Sequence, residues 1–220
     1  ALNGVTTDVA PLQYVSNLFD EFADRFETIL IDDLGYDVPR LLRIEINEIM
    51  KELPIEVYKS VLDLGGGTGL VAKEIRDIAE IIHNVDISVE MVRISREANR
   101  YDAEFVDDII SFLNQVDMGL PFYELILAAD TCIYFGGLER VCSAVYERLQ
   151  PGGFFVFNVE SMNAGNYKIQ KNGRYFHSKD YLNKIATDTG FTLYRISDIV
   201  ARQENKQDLN GFIASMQKPA

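Results

Sequence analysis

The chain has 220 residues and a formal net charge of −13, long enough for one α/β domain with a proper core and too short for two. Its 47% hydrophobic and 25% charged content is that of a globular protein, and no apolar run approaches the ~20 residues that a membrane span requires. So acidic a chain argues against a nucleic-acid partner, because binding along a phosphate backbone rests on Lys and Arg neutralising phosphates.

Residues 1–13 show no periodicity and read as an arm. Tyr14, Val15, Leu18, Phe19, Phe22, Phe26, Ile29 and Leu30 then recur at helical spacing, with Asp20, Glu21, Asp24 and Glu27 largely between them. A second helix is expected from Pro39, a residue suited to a first helical position, through Leu42, Ile46 and Ile49 to Pro54. The expected division is therefore 1–53, an arm with two covering helices, and 54–220, a ligand-binding domain with a flap near 160–177.

From Ser60 onward short apolar runs alternate with helical patterns, as in a parallel sheet built from β-α-β units. Strands are expected near 60–64, 81–86, 103–106, 123–128, 153–159, 192–200 and 209–216. Helices are expected near 69–78, 88–99, 109–115, 137–149 and 178–189, with Ser88 and Ser178 as N-caps. The polar link Arg202 to Asp208 is too short for a parallel crossover, so the last strand should run antiparallel. Asn172-Gly173 is a hairpin signal inside a stretch made basic by Lys168, Lys171, Arg174 and Lys179. Cys132 and Cys142 supply neither a disulfide framework nor a metal quartet, so no metal is expected. With no signal-like start the expected location is cytoplasmic. Since Ala1 is not a methionine, the stretch is expected to be cut from a longer protein.

The run Val61-Leu62-Asp63-Leu64-Gly65-Gly66-Gly67-Thr68-Gly69 organises the rest. An apolar strand ends in a carboxylate, enters a glycine turn and opens a helix, the arrangement of a nucleotide-type pocket. A dinucleotide fingerprint fits Gly67, Gly69 and Ala72, with Asp86 about 20 positions on. Against it, the Asp63 carboxylate at the strand end repels a pyrophosphate and attracts an ammonium group, such as that of S-adenosylmethionine.

Val61 to Gly69 resembles the first motif of class I S-adenosylmethionine-dependent methyltransferases, and Asn84-Val85-Asp86-Ile87-Ser88 resembles their second. The resemblance implies a Rossmann-like α/β fold, a mostly parallel seven-stranded sheet with one antiparallel strand and helices on both faces. Tyr14 to Pro39, Ala128-Ala129-Asp130 and Gly173 to Ser178 are similar to a group of methyltransferases often joined to tetratricopeptide repeats, which would lie before Ala1.

On that resemblance the cofactor is S-adenosylmethionine, held by Asp63, Gly65, Gly66, Gly67 and Gly69 at its amino-acid end. Asp86 takes the ribose hydroxyls, Ile87 and Met91 flank the adenine, Asp107 or Asp108 with Ile109 meets the adenine edge, and Ala129 and Asp130 border the cleft. The acceptor is a small or carrier-bound molecule, with Tyr14, Phe19, Arg174 and Tyr175 on its side. His177 is the general base if that acceptor is a hydroxyl. Ala129-Asp130-Thr131-Cys132 lacks the Pro-Pro-aromatic run expected for methylation of base amino groups, and neither cysteine follows a proline. Two other readings use the same pocket: a non-catalytic cofactor-binding module or assembly factor, and an NAD-dependent oxidoreductase.

Overall fold

In the computed structural model, which describes residues 12–27, 35–115, 119–204 and 207–220, the chain opens with helix α1 (Leu12–Phe22) and a 3-10 turn, Ala23–Arg25. Ile29 and Leu30 of the expected stripe, the arm up to residue 11 and the side chain of Tyr14 lie outside the described residues. Helix α2 (Val38–Glu52) carries Pro39 in its first turn, where a missing N–H leaves no bond unmade. It buries Val38, Leu42, Ile46 and Ile49 along one face.

Strands β1 (Tyr58–Leu64), β2 (Ala79–Asp86), β3 (Ala103–Val106), β4 (Tyr123–Ala128) and β5 (Leu149–Ser161) stand in the parallel order β3-β2-β1-β4-β5. Helices α3 (Leu70–Ile75), α4 (Val89–Glu97), α5 (Ile109–Leu113) and α6 (Glu139–Arg148) connect them. Successive residues of one strand face opposite layers. Val61, Leu125 and Val156 pack with α2 and α3, whereas Leu62, Ile126 and Phe155 pack with α5, α6 and α7 (Lys179–Asp188). Ser88 and Ser178 are the expected N-caps, their hydroxyls accepting from the N–H of Met91 and Tyr181 at 3.1 Å. Both cysteines are free and buried. Among the described residues no helix is long and apolar enough to cross a membrane.

Two findings concern the far half of the sheet. First, the reversal is as expected: β9 (Gln207–Gln217) is antiparallel to β5, and β8 (Thr192–Glu204) is antiparallel to β9. Strand pairing continues through most of the Arg202 to Asp208 link, however, so Arg202 belongs to a strand rather than a loop. Second, the expected flap is a hairpin, β6 (Tyr167–Ile169) and β7 (Tyr175–His177), that joins the sheet and brings the strand count among the described residues to nine. Glu160 of β5 pairs with Gly211 of β9 on one side and Phe176 of β7 on the other. The hairpin thus takes up the side of β5 that β4 vacates after Ala128, directly over the carboxyl ends of the strands.

Candidate active site

Strand order reverses between β1 and β4, and in open α/β sheets the crevice outside the carboxyl ends at that point is where ligands bind. A cavity of about 1090 Å³, including its open mouth, occupies that crevice. The glycine turn forms its floor.

Each glycine of the turn is required by a different contact. Gly65, at φ +67°, donates to Val85 O at 2.7 Å, and a Cβ on it would lie 2.4 Å from Thr131 Oγ1. The turns after β1 and β4 touch there only because no side chain intervenes. A Cβ on Gly66 would fall within 2.4–2.7 Å of Tyr101 Oη, Asn84 Oδ1 and Asp63 Oδ2. Gly67, at φ +55°, donates to Asp86 Oδ2 at 2.9 Å; a Cβ there would come no closer than 3.9 Å to Met91 and Phe26, entering the cavity instead.

Asp63 does not stand where the sequence reading placed it. Its side chain is fully buried beneath Gly66 and is absent from the cavity wall, with Oδ2 accepting from Tyr101 Oη at 2.7 Å and Oδ1 without a partner. The glycine above admits the carboxylate under the turn rather than across it. Burial, reinforced by the charge of Asp86 and opposed by the Tyr101 hydrogen bond, pushes Asp63 up to about 7. Asp86 does reach the cavity. Its oxygens accept from the N–H of Gly67 and Ser88 at 2.9 and 2.8 Å, and burial raises it to about 6 despite those bonds.

Of the other residues expected on the cofactor side, Gly65, Gly66, Ile87, Met91, Asp108, Ile109, Ala129 and Asp130 line the cavity. Asp107 does not; it accepts from Gln115 Nε2 and the N–H of Asp108, while Asp108 caps α5. Gly69, at φ +94°, is turned away against Arg100 and Tyr101.

On the opposite wall, Phe19 and Arg174 line the cavity as expected. Phe19 of α1 meets Phe26 and Tyr134 edge-on at 6.0 and 5.8 Å. α1 is pinned there by Asp20, whose Oδ1 accepts from Ser88 Oγ at 2.6 Å. Tyr175 is fully buried against Gly136 and off the cavity. His177 is the clearest correction: it has no exposed surface and no place on the wall. Its Nε2 donates to Gly136 O at 3.0 Å, its ring lies among Tyr167 and Tyr181, and burial lowers it to about 4. The β7 pairing that brings Arg174 to the cavity puts His177 under the neighbouring loop.

Sequence reasoning missed the frame behind this wall. Asp130, in the left-handed region at φ +50°, accepts from Asn158 Nδ2 at 2.6 Å and from Arg202 at 2.8 Å. Arg202, 1% exposed, also donates to the sealed Glu160 at 2.6 Å, and Arg174 stands 3.6 Å from the same Glu160 oxygen. Tyr36, Tyr134 and Phe135 complete the wall. Only a positive-φ Asp in a strand-end turn could have signalled part of this, and that is not visible in a sequence.

The site fits a cofactor with a cationic end on two counts: a cradle that a Cβ on Gly67 would fill, and acidic oxygens at and below it, one of them unpartnered. Residues 34–196 match the family model described as a methyltransferase domain. The sterol 24-C-methyltransferase of Debaryomyces hansenii is 30% identical over 122 residues, 51% of this chain and 28% of that enzyme, so the chain spans under a third of that relative. Magnesium protoporphyrin IX methyltransferase from Synechocystis PCC 6803, solved with bound SAM, superposes at a TM-score of 0.68 with 14% identity, over 98% of this chain and 99% of that one. The cyclase SpnF superposes at 0.73 with 17% identity, over 96% and 98%. At such identities the likeness establishes the fold.

Proposed function

This chain belongs to the methyltransferase-domain family, and from that premise we propose that it transfers the methyl group of S-adenosylmethionine to a small-molecule or carrier-bound acceptor. The observation that carries the reading is the glycine turn at the sheet's switch point, with Asp86 on the cavity and Asp63 beneath it. When bound, the cofactor supplies a methyl carbon already activated by a sulfonium. What remains for the protein is alignment and exclusion of water.

Asp86 is held rigid by two backbone N–H groups and keeps lone pairs for the ribose hydroxyls. Ile87, Met91 and Ile109 offer apolar contact to the adenine, with Asp108 at its edge. Asp63 lies below, bonded to the Tyr101 hydroxyl that stands 3.3 Å from Gly66 O, and once ionised it adds negative potential under the amino-acid end. Phe19 and Phe26 close the cleft from the α1 side. Calorimetric titration with S-adenosylmethionine and, separately, NAD tests the reading: the first binds and the second does not. Asp86→Ala weakens cofactor binding by about 1–3 kcal/mol, the loss of hydrogen bonds to a charged acceptor; unaltered affinity would remove Asp86 from this role.

One observation favours a second reading, a non-catalytic cofactor-binding module: the histidine expected as base is sealed from the cavity. A module binds the cofactor and never releases S-adenosylhomocysteine with any acceptor. A cytoplasmic setting belongs to the leading reading, as do tetratricopeptide repeats on the same polypeptide, which the resemblance of Tyr14 to Pro39, Ala128 to Asp130 and Gly173 to Ser178 supports. Reading the gene upstream of Ala1 tests the repeats.

A further inference from the structure

We propose that the acceptor is an apolar molecule ending in a carboxylate, seated with that carboxylate toward Arg174 and methylated on oxygen to give a methyl ester. This rests on the reading above and goes further in naming the acceptor's class.

The first support is the composition of the cavity wall. Leu12, Val15, Phe19 and Phe135 make it apolar, and Arg174 is the one Lys or Arg on the lining among the described residues. The hairpin places it there with 24% of its side chain exposed. Behind it the charges are balanced: Asp130 and Glu160 against Arg202 and Arg174. Glu160 is fully buried and takes its shorter contacts from Arg202 and Gln170, while Arg174, which also bonds Tyr134, is the member of that pair on the cavity lining. A guanidinium's planar donors match a carboxylate's two oxygens.

The second support is the set of groups able to take a proton. An ammonium acceptor must lose one before it has a lone pair to give, and a hydroxyl must lose one as it attacks. Among the described residues, the cavity's carboxylates are Asp86 and Asp108, which accept from backbone N–H groups at the cofactor end, and Asp130, held by Asn158 and Arg202. Loss of solvation pushes the phenols of Tyr36 and Tyr134 up, making them donors rather than bases. His177 is sealed away. A carboxylic acid, with an ordinary pKa of about 4, arrives ionised and needs no base. A carboxylate oxygen gives its pair to the methyl carbon, the carbon–sulfur bond breaks toward sulfur, and one anion and one cation become a neutral ester and a neutral thioether. No proton moves.

The test uses the full chain saturated with S-adenosylhomocysteine and titrates decanoate and 2-naphthoate, each beside its neutral primary alcohol, by calorimetry. The carboxylates bind about tenfold tighter or more, as expected for charge-assisted hydrogen bonds. Arg174→Gln removes that preference without changing affinity for S-adenosylhomocysteine, and Arg174→Lys restores part of it. In a second arm, cofactor carrying a tritiated methyl group is offered to a mixture of aliphatic and aryl carboxylic acids and to matched alcohols and amines. Transferred label is released as volatile methanol by alkali, and the rate at saturating cofactor and acceptor is flat from about pH 6 to about pH 9, where a base titrating in that range would impose a rise. Equal binding of acids and alcohols, a preference that survives Arg174→Gln, or label stable to alkali would overturn the proposal. Failure of the protein to bind S-adenosylhomocysteine would instead sink the reading beneath it.

Discussion

At the glycine-turn end of the cavity, Asp63 and Asp86 are buried acids whose partners are a phenol and backbone N–H groups; at the hairpin end, Asp130 and Glu160 are held by the guanidinium of Arg202. The two ends solve the same problem differently. A carboxylate taken from water without a cation is costly and moves toward its neutral form, as Asp63 and Asp86 do at about 7 and about 6. One paired with a buried guanidinium becomes part of the frame. The first end is therefore receptive to a cationic ligand. The second holds its acids in ion pairs and puts on the cavity lining Arg174, the one Lys or Arg there among the described residues.

Arg202→Ala is the most damaging way to break this contrast, because it leaves Asp130 and Glu160 without their shared cation. Loss of one partner of a buried pair costs about 3–5 kcal/mol, to be read from urea unfolding, and adding Glu160→Gln recovers part of it.

A smaller effect separates the two ends by pH. Asp63 is raised from 3.8 to about 7 on folding, so its contribution to stability is intact below about pH 4 and lost as pH rises through 7. Relative to Asp63→Asn, the ligand-free protein should lose on the order of 4 kcal/mol across that window. Parallel unfolding curves for the two proteins would mean that Asp63 ionises as freely as an exposed acid.

The least effect is expected at His177. His177→Gln should change kcat by less than about twofold, against the hundredfold or more that loss of a general base costs. A larger fall would place the residue in the chemistry after all.

Much of the cofactor end was legible because it is local. Asp63 to Gly69, Asp86 to Met91 and Asp108-Ile109 are contiguous runs whose backbone geometry follows from glycines, caps and strand ends. Asp63, Gly69 and Asp107 were misplaced there; Asp63 was drawn above the turn because the side that a strand-end carboxylate takes depends on Tyr101 and Asn84, distant in sequence. The acceptor end was hardly legible. Tyr36, Tyr134-Phe135, Glu160 and Arg202 come from four segments, and a polar stretch such as Arg202 to Asp208 looks alike whether it is a solvated link or a paired strand.

Periodicity, caps and glycines by themselves determined the α/β class, the strand sequence, the reversed last strand and the ligand-binding turn, since each is set by residues within a few positions of one another. Only the tertiary structure decided that the 167–177 hairpin joins the sheet, that Arg174 faces the cavity while His177 is sealed beneath, and that Arg202 is interior. Those outcomes follow from which side of β5 is left vacant where β4 stops, and no local pattern carries that.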